Sequence, residues 1–232
     1  MSRAAGLLAL ALITATQPAG AADAAKAWQD CLLAVPYGVA THPDRVMIEA
    51  NRADVSGPGY TIHAVNVETI TVDGGGGTGD EATLLGSTGT NRLYSYADYS
   101  RLIDSTRSFS HRVEGFETLT VDVSGGTSNS AYLYDTPDND ELTAEPGLAT
   151  FTRSVGTSTE TTTTAIGFQQ LYAYTTAGDD TAALTASDAT QNRFYSYADY
   201  ALLTEARRSF YFYARGFGSV TATSPGSLPA YA

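Results

Sequence analysis

NRLYSYADY, residues 91–99, returns as NRFYSYADY at residues 192–200. The two stretches differ at one position and begin 101 residues apart in a chain of 232 residues. A catalytic site is normally built once in a domain, whereas a structural unit is often built several times. The repetition therefore bears first on architecture, and internal repeats must be mapped before any motif is interpreted.

A shorter motif shows that the repeat covers most of the chain. The dipeptide Gly-Phe begins at Gly115, Gly167 and Gly216, at spacings of 52 and 49 residues. Asn66 stands in the same place, 49 residues before Gly115. Residues 44–65 fit the second half of a still earlier unit. The sequence thus predicts about three and a half copies of a unit of about 50 residues.

Within each unit apolar residues alternate with polar ones, which is typical of strands with one buried face. The predicted inward sets are Leu119, Val121 and Val123; Phe109, His111 and Val113; Phe210, Phe212 and Ala214; and Tyr60, Ile62 and Ala64. Clusters of Gly, Asn, Asp and Ser separate these stretches, as turns require. We expect about four short strands per unit and almost no helix.

Several all-β folds place strands at this density. Closing a β-propeller takes about four blades, more than the units present, and a β-sandwich needs no internal similarity. In a β-solenoid each coil contacts only its neighbours, so any number of copies is tolerated. We therefore predict an all-β, parallel β-helix-like solenoid over residues 44–224, with like residues stacked above one another. The propeller and the sandwich are the alternatives.

The two ends of the chain differ from the repeats. Residues 1–21 combine Arg3, an apolar run and a small-x-small ending, which predicts a cleaved signal peptide. Residues 22–43 are a cap or linker, in which residues 23–35 predict a short helix that covers the open end of the solenoid. Residues 225–232 are predicted to be a C-terminal tail.

Composition narrows the classes of partner. Asp and Glu outnumber Lys and Arg by 25 to 13, which gives a net charge of −12. Nucleic acid and anionic membrane surfaces are excluded as expected partners, because both require a basic face. The single cysteine excludes an internal disulfide framework. We expect an extracellular or cell-surface protein, without membrane insertion after signal cleavage, whose partner is an extracellular glycan or protein.

The motifs GFETLTV (115–121) and NSAYLYDTPDND (129–140) carry a resemblance. They are similar to tandem repeats of about 50 residues in long, mostly uncharacterised exported bacterial proteins. Those repeats follow the pattern Gly-Phe-Asp-x-Val, then Asp-x-Ala-x-Leu-Tyr-Asp-Ser and an Asp-rich turn. The resemblance covers residues 44–224 and implies an extracellular or surface-attached repeat module. It implies no activity.

Two kinds of binding site are candidates. The turn DTPDNDE contains the carboxylates of Asp135, Asp138 and Asp140, which are ligands of the kind that bind Ca²⁺. Calcium is therefore a possible cofactor, and a solvated turn without a metal ion is the alternative. Four outward tyrosines are candidate ligand contacts, because rings with a polar tip suit recognition surfaces. They are Tyr172, Tyr174, Tyr211 and Tyr213. A purely structural aromatic ladder is the alternative.

Features suggestive of catalysis have simpler explanations. Acid and arginine clusters occur in two matching copies, whereas a reactive groove is assembled from unlike residues on several coils. They comprise Asp98, Arg101, Asp104 and Arg107, and Asp199, Glu205, Arg207 and Arg208. GGGGTG (74–79) matches the glycine spacing of a dinucleotide-binding motif, but a strand is predicted after it where that motif requires a helix. We predict a non-catalytic structural or adhesion-type module; a glycan-binding or glycan-cleaving β-helix and a calcium-stabilised β-roll are the alternatives.

Overall fold

The computed structural model describes residues 30–34, 44–57, 60–75, 78–106, 108–188, 191–225 and 230–231; the predicted signal peptide lies outside them. Within this part all regular structure is β-strand. The strands are β1 (Asp30–Ala34), β2 (Arg45–Glu49), β3 (Arg52–Gly57), β4 (Tyr60–Val65), β5 (Thr69–Asp73), β6 (Glu81–Leu85), β7 (Asn91–Ser95), β8 (Tyr99–Asp104), β9 (Ser110–Glu114), β10 (Thr118–Asp122), β11 (Ser130–Tyr134), β12 (Glu141–Glu145), β13 (Leu148–Arg153), β14 (Thr161–Ile166), β15 (Gln170–Tyr174), β16 (Thr181–Thr185), β17 (Asn192–Ser196), β18 (Tyr200–Glu205), β19 (Tyr211–Arg215), β20 (Ser219–Thr223) and β21 (Ala230–Tyr231).

These strands form two sheets with the core between them. Sheet A has the order β1-β5-β9-β8-β7-β11-β15-β19-β18-β17-β21. Sheet B has the order β20-β16-β12-β13-β14-β10-β6-β2-β3-β4. The chain crosses repeatedly from one sheet to the other, and successive turns join through parallel pairs such as β7 with β11 and β11 with β15. The molecule is a β-solenoid, which confirms the predicted fold class.

Each unit contributes five strands rather than the four predicted. The first half gives one strand to each sheet, as β10 does to sheet B and β11 to sheet A. The second half is an antiparallel three-stranded meander, such as β12–β13–β14. In the sequence its first two strands merge easily, because only Pro146 and Gly147 separate them.

Successive units alternate between the two sheets. The meanders β2–β3–β4 and β12–β13–β14 lie in sheet B, whereas β7–β8–β9 and β17–β18–β19 lie in sheet A. A meander therefore returns to the same sheet only after two units, which explains the separation of 101 residues between the two copies of the tyrosine-rich phrase. Residues at equivalent positions of successive units are not direct neighbours: Leu133 pairs with Ser95 and Ala173, not with its counterparts one unit away, although Tyr132 does stack between two other tyrosines.

The core follows the predicted alternation. The inward sets of β9, β10 and β19 are at most 4% exposed, including His111 at 0%. Ala64 is also buried and Ile62 packs against the core, while the side chain of Tyr60 lies outside the described part. Burying one Leu, Ile, Val or Phe side chain stabilises the fold by about 1.5–3 kcal/mol. Rows of such residues between the sheets are therefore the main source of stability.

The Gly-Phe motif forms the turn that leads from each meander into the next unit. Gly115, Gly167 and Gly216 have φ values of 72°, 80° and 88°, and Asn66, their counterpart, has 61°. A Cβ on Gly167 would lie 2.5 Å from the backbone nitrogen of Ser124 in the neighbouring turn. Glycine is required here both for the left-handed backbone and for the close approach between turns.

Both ends of the chain add strands to sheet A. Asp30–Ala34 is strand β1, paired in parallel with β5, so the predicted helix over residues 23–35 is wrong there; its remaining residues lie outside the described part. Extended backbone at this place continues the sheet instead of covering it. Within the predicted tail, Ala230–Tyr231 is strand β21, paired in parallel with β17.

Polar side chains at the starts of strands link neighbouring turns. On sheet A the links are carboxamides: Asn91 Nδ2 donates to Asn129 Oδ1 at 3.0 Å. On sheet B they are carboxylates: the backbone nitrogen of Asp44 donates to Asp80 Oδ1 at 2.8 Å, and that of Asp140 donates to Asp180 Oδ1 at 2.8 Å. These buried side chains satisfy backbone groups where the chain enters each sheet.

Candidate functional site: the tyrosine face of sheet A

The outer side of sheet A carries a continuous surface of half-buried tyrosines. It follows from the alternation of each strand, since Ala131 and Leu133 point into the core and Tyr132 and Tyr134 point out. We call this surface the tyrosine face. It comprises Tyr94, Tyr96, Tyr99, Tyr132, Tyr134, Tyr172, Tyr174, Tyr197, Tyr200, Tyr211 and Tyr213.

The rings form two parallel rows across neighbouring strands. In the first row the ring centroids of Tyr94 and Tyr132 are 5.1 Å apart, and those of Tyr132 and Tyr172 are 5.0 Å apart. In the second row the rings of Tyr96 and Tyr134 are 4.6 Å apart with an interplanar angle of 2°. Within each row the distance between neighbouring rings is close to the distance between neighbouring strands, about 4.8 Å. The backbone spacing therefore sets the stacking of the rings.

The four tyrosines predicted to contact a ligand lie together in the middle of this face, on β15 and β19. The ring of Tyr172 is 5.5 Å from that of Tyr211 and 6.2 Å from that of Tyr213, and the ring of Tyr174 is 6.0 Å from that of Tyr213. Here the rings are tilted by 43° to 57° instead of being parallel. The parallel stacking of rings therefore ends between β15 and β19.

Four hydroxyls at the centre of the tyrosine face remain protonated at neutral pH, because their pKa values are raised. Burial raises the pKa of Tyr96, Tyr134, Tyr172 and Tyr174, and neighbouring tyrosine hydroxyls raise it further. Protonated hydroxyls both donate and accept hydrogen bonds. The face thus offers flat apolar rings edged by neutral polar groups.

The outer side of sheet B has a different chemistry. One column of register partners consists of Thr83, Thr120, Thr164, Thr150 and Thr143 on five successive strands. Threonines also occupy positions 118, 162 and 152 of the next column. Short β-branched side chains suit an outer sheet surface, and they present no ring to a ligand.

Two cavities border the tyrosine face. The larger, with a volume of about 360 Å³, is lined by Tyr96, Tyr99, Phe116 and Asp98 among others, with Arg153 at its inner wall. The smaller, about 270 Å³, is lined by residues of β17, β18 and the turn before β19, including Tyr197, Tyr200 and Tyr211.

Arg153 is a buried link between the two sheets. It is 2% exposed, and burial lowers its pKa to about 10, so the guanidinium keeps its charge at neutral pH. From β13 in sheet B it donates to the backbone oxygens of Tyr134 at 2.7 Å and Ser95 at 2.9 Å in sheet A, and to Thr163 Oγ1 at 3.2 Å. Its donors serve the protein itself, so its role is to hold the sheets together.

The structure does not bring the predicted calcium ligands into one site. Asp140 accepts hydrogen bonds from Thr136 and from the backbone nitrogen of Ser154. Asp138 accepts one from Ser154 Oγ at 3.0 Å, and Asp135 accepts one from Thr176 Oγ1 at 2.9 Å in the neighbouring turn. Among the described residues no group of three or more His, Cys, Asp or Glu is placed to hold a metal ion. These carboxylates shape turns.

The acid and arginine clusters of the first copy are dispersed as well. Asp104 closes its turn by accepting hydrogen bonds from Thr106 and Ser108. Arg101 Nε donates to Ser110 Oγ at 3.0 Å, Asp98 lines the larger cavity, and Arg107 lies outside the described residues.

In the second copy the corresponding groups also have separate partners. Asp199 pairs with Arg215 at 3.6 Å, and Glu205 accepts a hydrogen bond from Ser209. Arg208 lines the smaller cavity. None of the described residues forms a helix, so the helix N-terminus that a dinucleotide site presents to a phosphate is not found in this part of the chain.

Sequence reasoning missed three sets of residues. The internal position of Arg153 depends on how distant strands meet, and the cavity lined by Arg193 depends on how β17, β18 and β19 fold back on one another. The third set consists of the polar residues at the starts of strands, and it had a visible signal in the sequence. One position of the repeat is occupied in successive units by Asp44, Asn91, Asp140 and Asn192. The alternation of acid and amide marks the alternation of sheets.

Comparison with protein-family models, with curated proteins and with solved structures found no match to this chain. In the part of the chain that the structure describes, no helix has the length and apolar character needed to cross a membrane.

Proposed function

We propose that this chain is a secreted or cell-surface repeat module with a structural or adhesive role, without catalytic activity, that binds an extracellular glycan through its tyrosine face. The observation that carries the proposal is the pair of stacked tyrosine rows on sheet A, which spans β7, β11, β15 and β19 and continues onto β18 and β17. Six strands at about 4.8 Å spacing give a surface about 24 Å long.

Such a surface suits a saccharide chain for physical reasons. Flat rings pack against the apolar faces of sugar rings, while the tyrosine hydroxyls bond to sugar hydroxyls. Neighbouring strands hold the rings in place, so little conformational entropy is lost on binding. A repeated surface also binds a repeated polymer at several points, which raises the overall affinity without requiring one strong site.

Export is the part of the proposal that the sequence supports. The pattern of residues 1–21 is that of a signal peptide, and an acidic chain with one lysine is typical of exported β-rich proteins. Fractionation of the native host's cells tests this part: we expect the chain outside the cytoplasm, shortened by about 21 residues. A full-length cytoplasmic product would contradict it.

Binding is tested by measuring the retention of the purified chain on immobilised polysaccharides. The double variant Tyr172→Ser, Tyr174→Ser should bind at least about tenfold more weakly, since central aromatic contacts carry much of a binding energy. The control, Thr162→Ser with Thr164→Ser, alters the outer side of sheet B and should bind like the unmodified chain. Equal binding by all three, or binding to proteins alone, would refute the glycan assignment.

The absence of catalysis is tested separately. Incubation with the retained polysaccharide should release no reducing sugar beyond that of a protein-free blank. Release that grows with protein concentration would contradict a purely adhesive role.

A further inference from the structure

The smaller cavity is lined by two arginines that form no ion pair with an acid among the described residues. Arg193 lies on β17 and Arg208 in the turn between β18 and β19; both are exposed and line the cavity. The ion pairs found among the described residues, with nitrogen and oxygen within 4.0 Å, include neither guanidinium. In a chain with a net charge of −12, a cationic cavity is a local exception.

One acid also lines this cavity but does not cancel its charge. Glu205 accepts a hydrogen bond from Ser209 Oγ, which occupies its Oε2. Two guanidinium groups against one carboxylate leave a net positive charge, which attracts an anion. Arg208 lies close enough to Tyr211 to lower the pKa of its hydroxyl, against the larger raising effects of burial and of Tyr213.

Aromatic rings form the rest of the wall. Tyr197 and Tyr200 stack with centroids 4.4 Å apart, and Tyr197 is 50% exposed. The ring of Tyr200 lies 5.2 Å from that of Tyr213, so the cavity is continuous with the tyrosine face. At about 270 Å³ the cavity is near the lower limit for small-molecule sites, about 300 Å³. It therefore has room for about one sugar unit of a longer chain.

The related meander in the same sheet has arginines at the corresponding positions, Arg92 and Arg107, of which Arg107 lies outside the described residues, but it lacks two of the tyrosines. By alignment of the repeats, Ser110 and Arg112 of β9 stand where β19 has Tyr211 and Tyr213. Arg112 Nη2 pairs with Glu114 at 2.7 Å, and its guanidinium lies 3.9 Å from the centroid of Tyr99. In that copy Arg112 is paired with an acid and covers a ring, and no tyrosine stands at the positions of Tyr211 and Tyr213, whereas the last copy has both rings.

We propose that the smaller cavity binds the acidic unit of an anionic polysaccharide, with Arg193 and Arg208 holding its carboxylate or sulfate and the tyrosines packing against the sugar ring. Planar guanidinium groups match both anions through paired hydrogen bonds. This inference rests on the proposed glycan-binding function and specifies the class of glycan.

Affinity electrophoresis of the purified full chain tests the inference, in gels that contain polygalacturonate, dextran sulfate or neutral dextran. The first two polymers distinguish carboxylate from sulfate as the bound group. We expect at least one anionic polymer to retain the chain more strongly than neutral dextran. The double variant Arg193→Gln, Arg208→Gln should weaken that retention about tenfold, and each single variant less, because charge-assisted hydrogen bonds are lost.

Two controls separate binding from folding and from general charge. Arg45→Gln removes an exposed arginine from sheet B and should change retention less than about twofold, since exposed ion pairs contribute little. All variants should melt at the same temperature as the unmodified chain, because the substituted side chains are exposed.

The outcomes separate the two proposals. If neutral dextran retains the chain through Tyr172 and Tyr174 and the anionic polymers retain it no better, the acidic specificity is overturned and the glycan-binding function stands. Unchanged retention of the double arginine variant on the anionic polymers overturns the assignment of Arg193 and Arg208. If none of the three polymers retains the chain, the inference is overturned; the polysaccharide retention test above then decides the broader function.

Discussion

Sheets A and B are built from the same repeat, yet their outer sides have opposite characters. Tyr172 of β15 in sheet A and Thr120 of β10 in sheet B occupy the same position of the unit, five residues after the glycine of the Gly-Phe motif. The inner neighbours, Leu171 and Leu119, are the same residue and are both buried. In these two units tyrosine therefore lies on one side of the solenoid and threonine on the other, whereas Thr71 of β5 holds the same position on sheet A in an earlier unit.

The starts of the strands show the same division. Asn91 and Asn192 begin the meanders of sheet A, whereas Asp44 and Asp140 precede those of sheet B. The inner residues must keep an apolar pattern to fill the space between the sheets. Residues on the outer sides of the sheets are free of that constraint. The outer side of sheet A, with its tyrosines, is therefore the place to look for a specific function.

A glycine turn leads into each of the two sheets. Replacing its glycine should have the same energetic cost in both sheets. The turn at Gly115 leads into sheet B and the turn at Gly167 into sheet A, and in both a Cβ would lie within 3.0 Å of neighbouring backbone. We expect Gly115→Ala and Gly167→Ala each to lower the free energy of unfolding by about 3–4 kcal/mol, through the left-handed backbone and overpacking. Urea denaturation measures this.

Gly147 is the matched control for that experiment. Its φ of 87° is also positive, but a Cβ there would meet nothing within 4 Å. Gly147→Ala should therefore cost only about 1 kcal/mol. Equal losses at positions 147 and 167 would show that the turns are not in close contact, and a large difference between 115 and 167 would break the equivalence of the sheets.

A second prediction compares two meanders within sheet A. His111 of β9 is fully buried where β19 has Phe212, and burial lowers the pKa of His111 from 6.5 to about 4. Below pH 6.5 the unfolded chain binds a proton at this residue that the folded chain does not, so the free energy of unfolding falls as the pH falls. Between pH 6.5 and 4 the loss is on the order of 3 kcal/mol.

His111→Phe should remove this part of the pH dependence. The comparison is the difference in free energy of unfolding between the variant and the unmodified chain at pH 7, 5 and 4, which cancels the titration of the carboxylates. We expect the difference to shift in favour of the variant as the pH falls. A difference that is constant with pH would mean that His111 is not buried in its neutral form.

The remaining predictions concern the polar residues at the strand starts, which are carboxylates on sheet B and carboxamides on sheet A. Burial raises the pKa of Asp80, whose Oδ2 has no hydrogen-bond partner among the described residues. Since the folded state then favours the protonated acid, Asp80 costs stability as the pH rises through its pKa. Asp80→Asn should raise the free energy of unfolding by about 1 kcal/mol at pH 7, and the gain should vanish in acid.

The reverse exchange on sheet A should be unfavourable. Asn129 Nδ2 donates to the backbone oxygens of Val123 at 2.9 Å and Gly167 at 3.1 Å. Asn129→Asp removes both donors and should cost about 2 kcal/mol at pH 7. If the two exchanges had effects of the same sign, the division into an amide sheet and an acid sheet would have no energetic meaning.

The alternation of apolar and polar residues predicted the features that depend only on neighbours in the sequence. The inward set of β19 and the outward tyrosines of β11, β15 and β19 follow from alternation alone, and the solenoid follows from the repeat. The strand count failed at Pro146 and Gly147, where a two-residue turn leaves no gap in the pattern. Alternation between sheets could not be predicted from one unit, because the partners of a strand such as β11 lie about 40 residues away and not one repeat away.

The candidate site shows the same limit. Tyr172, Tyr174, Tyr211 and Tyr213 could be placed outside from their strands, but that they meet could not, because their proximity depends on register. Arg193 is unremarkable in sequence. It becomes significant only because the chain folds back in each meander and brings β17 and β18 together around one cavity.

Cysteine cross-linking tests most directly the claim that successive units alternate between sheets. In a Cys31→Ser background, Thr120→Cys with Thr164→Cys places two cysteines at register partners on β10 and β14, within the range of a disulfide. Thr120→Cys with Tyr172→Cys places them at equivalent positions one unit apart but on opposite sheets. Under mild oxidation, monitored by mass spectrometry, we predict an intramolecular disulfide in the first pair and none in the second. Efficient cross-linking of the second pair and not the first would contradict the alternation.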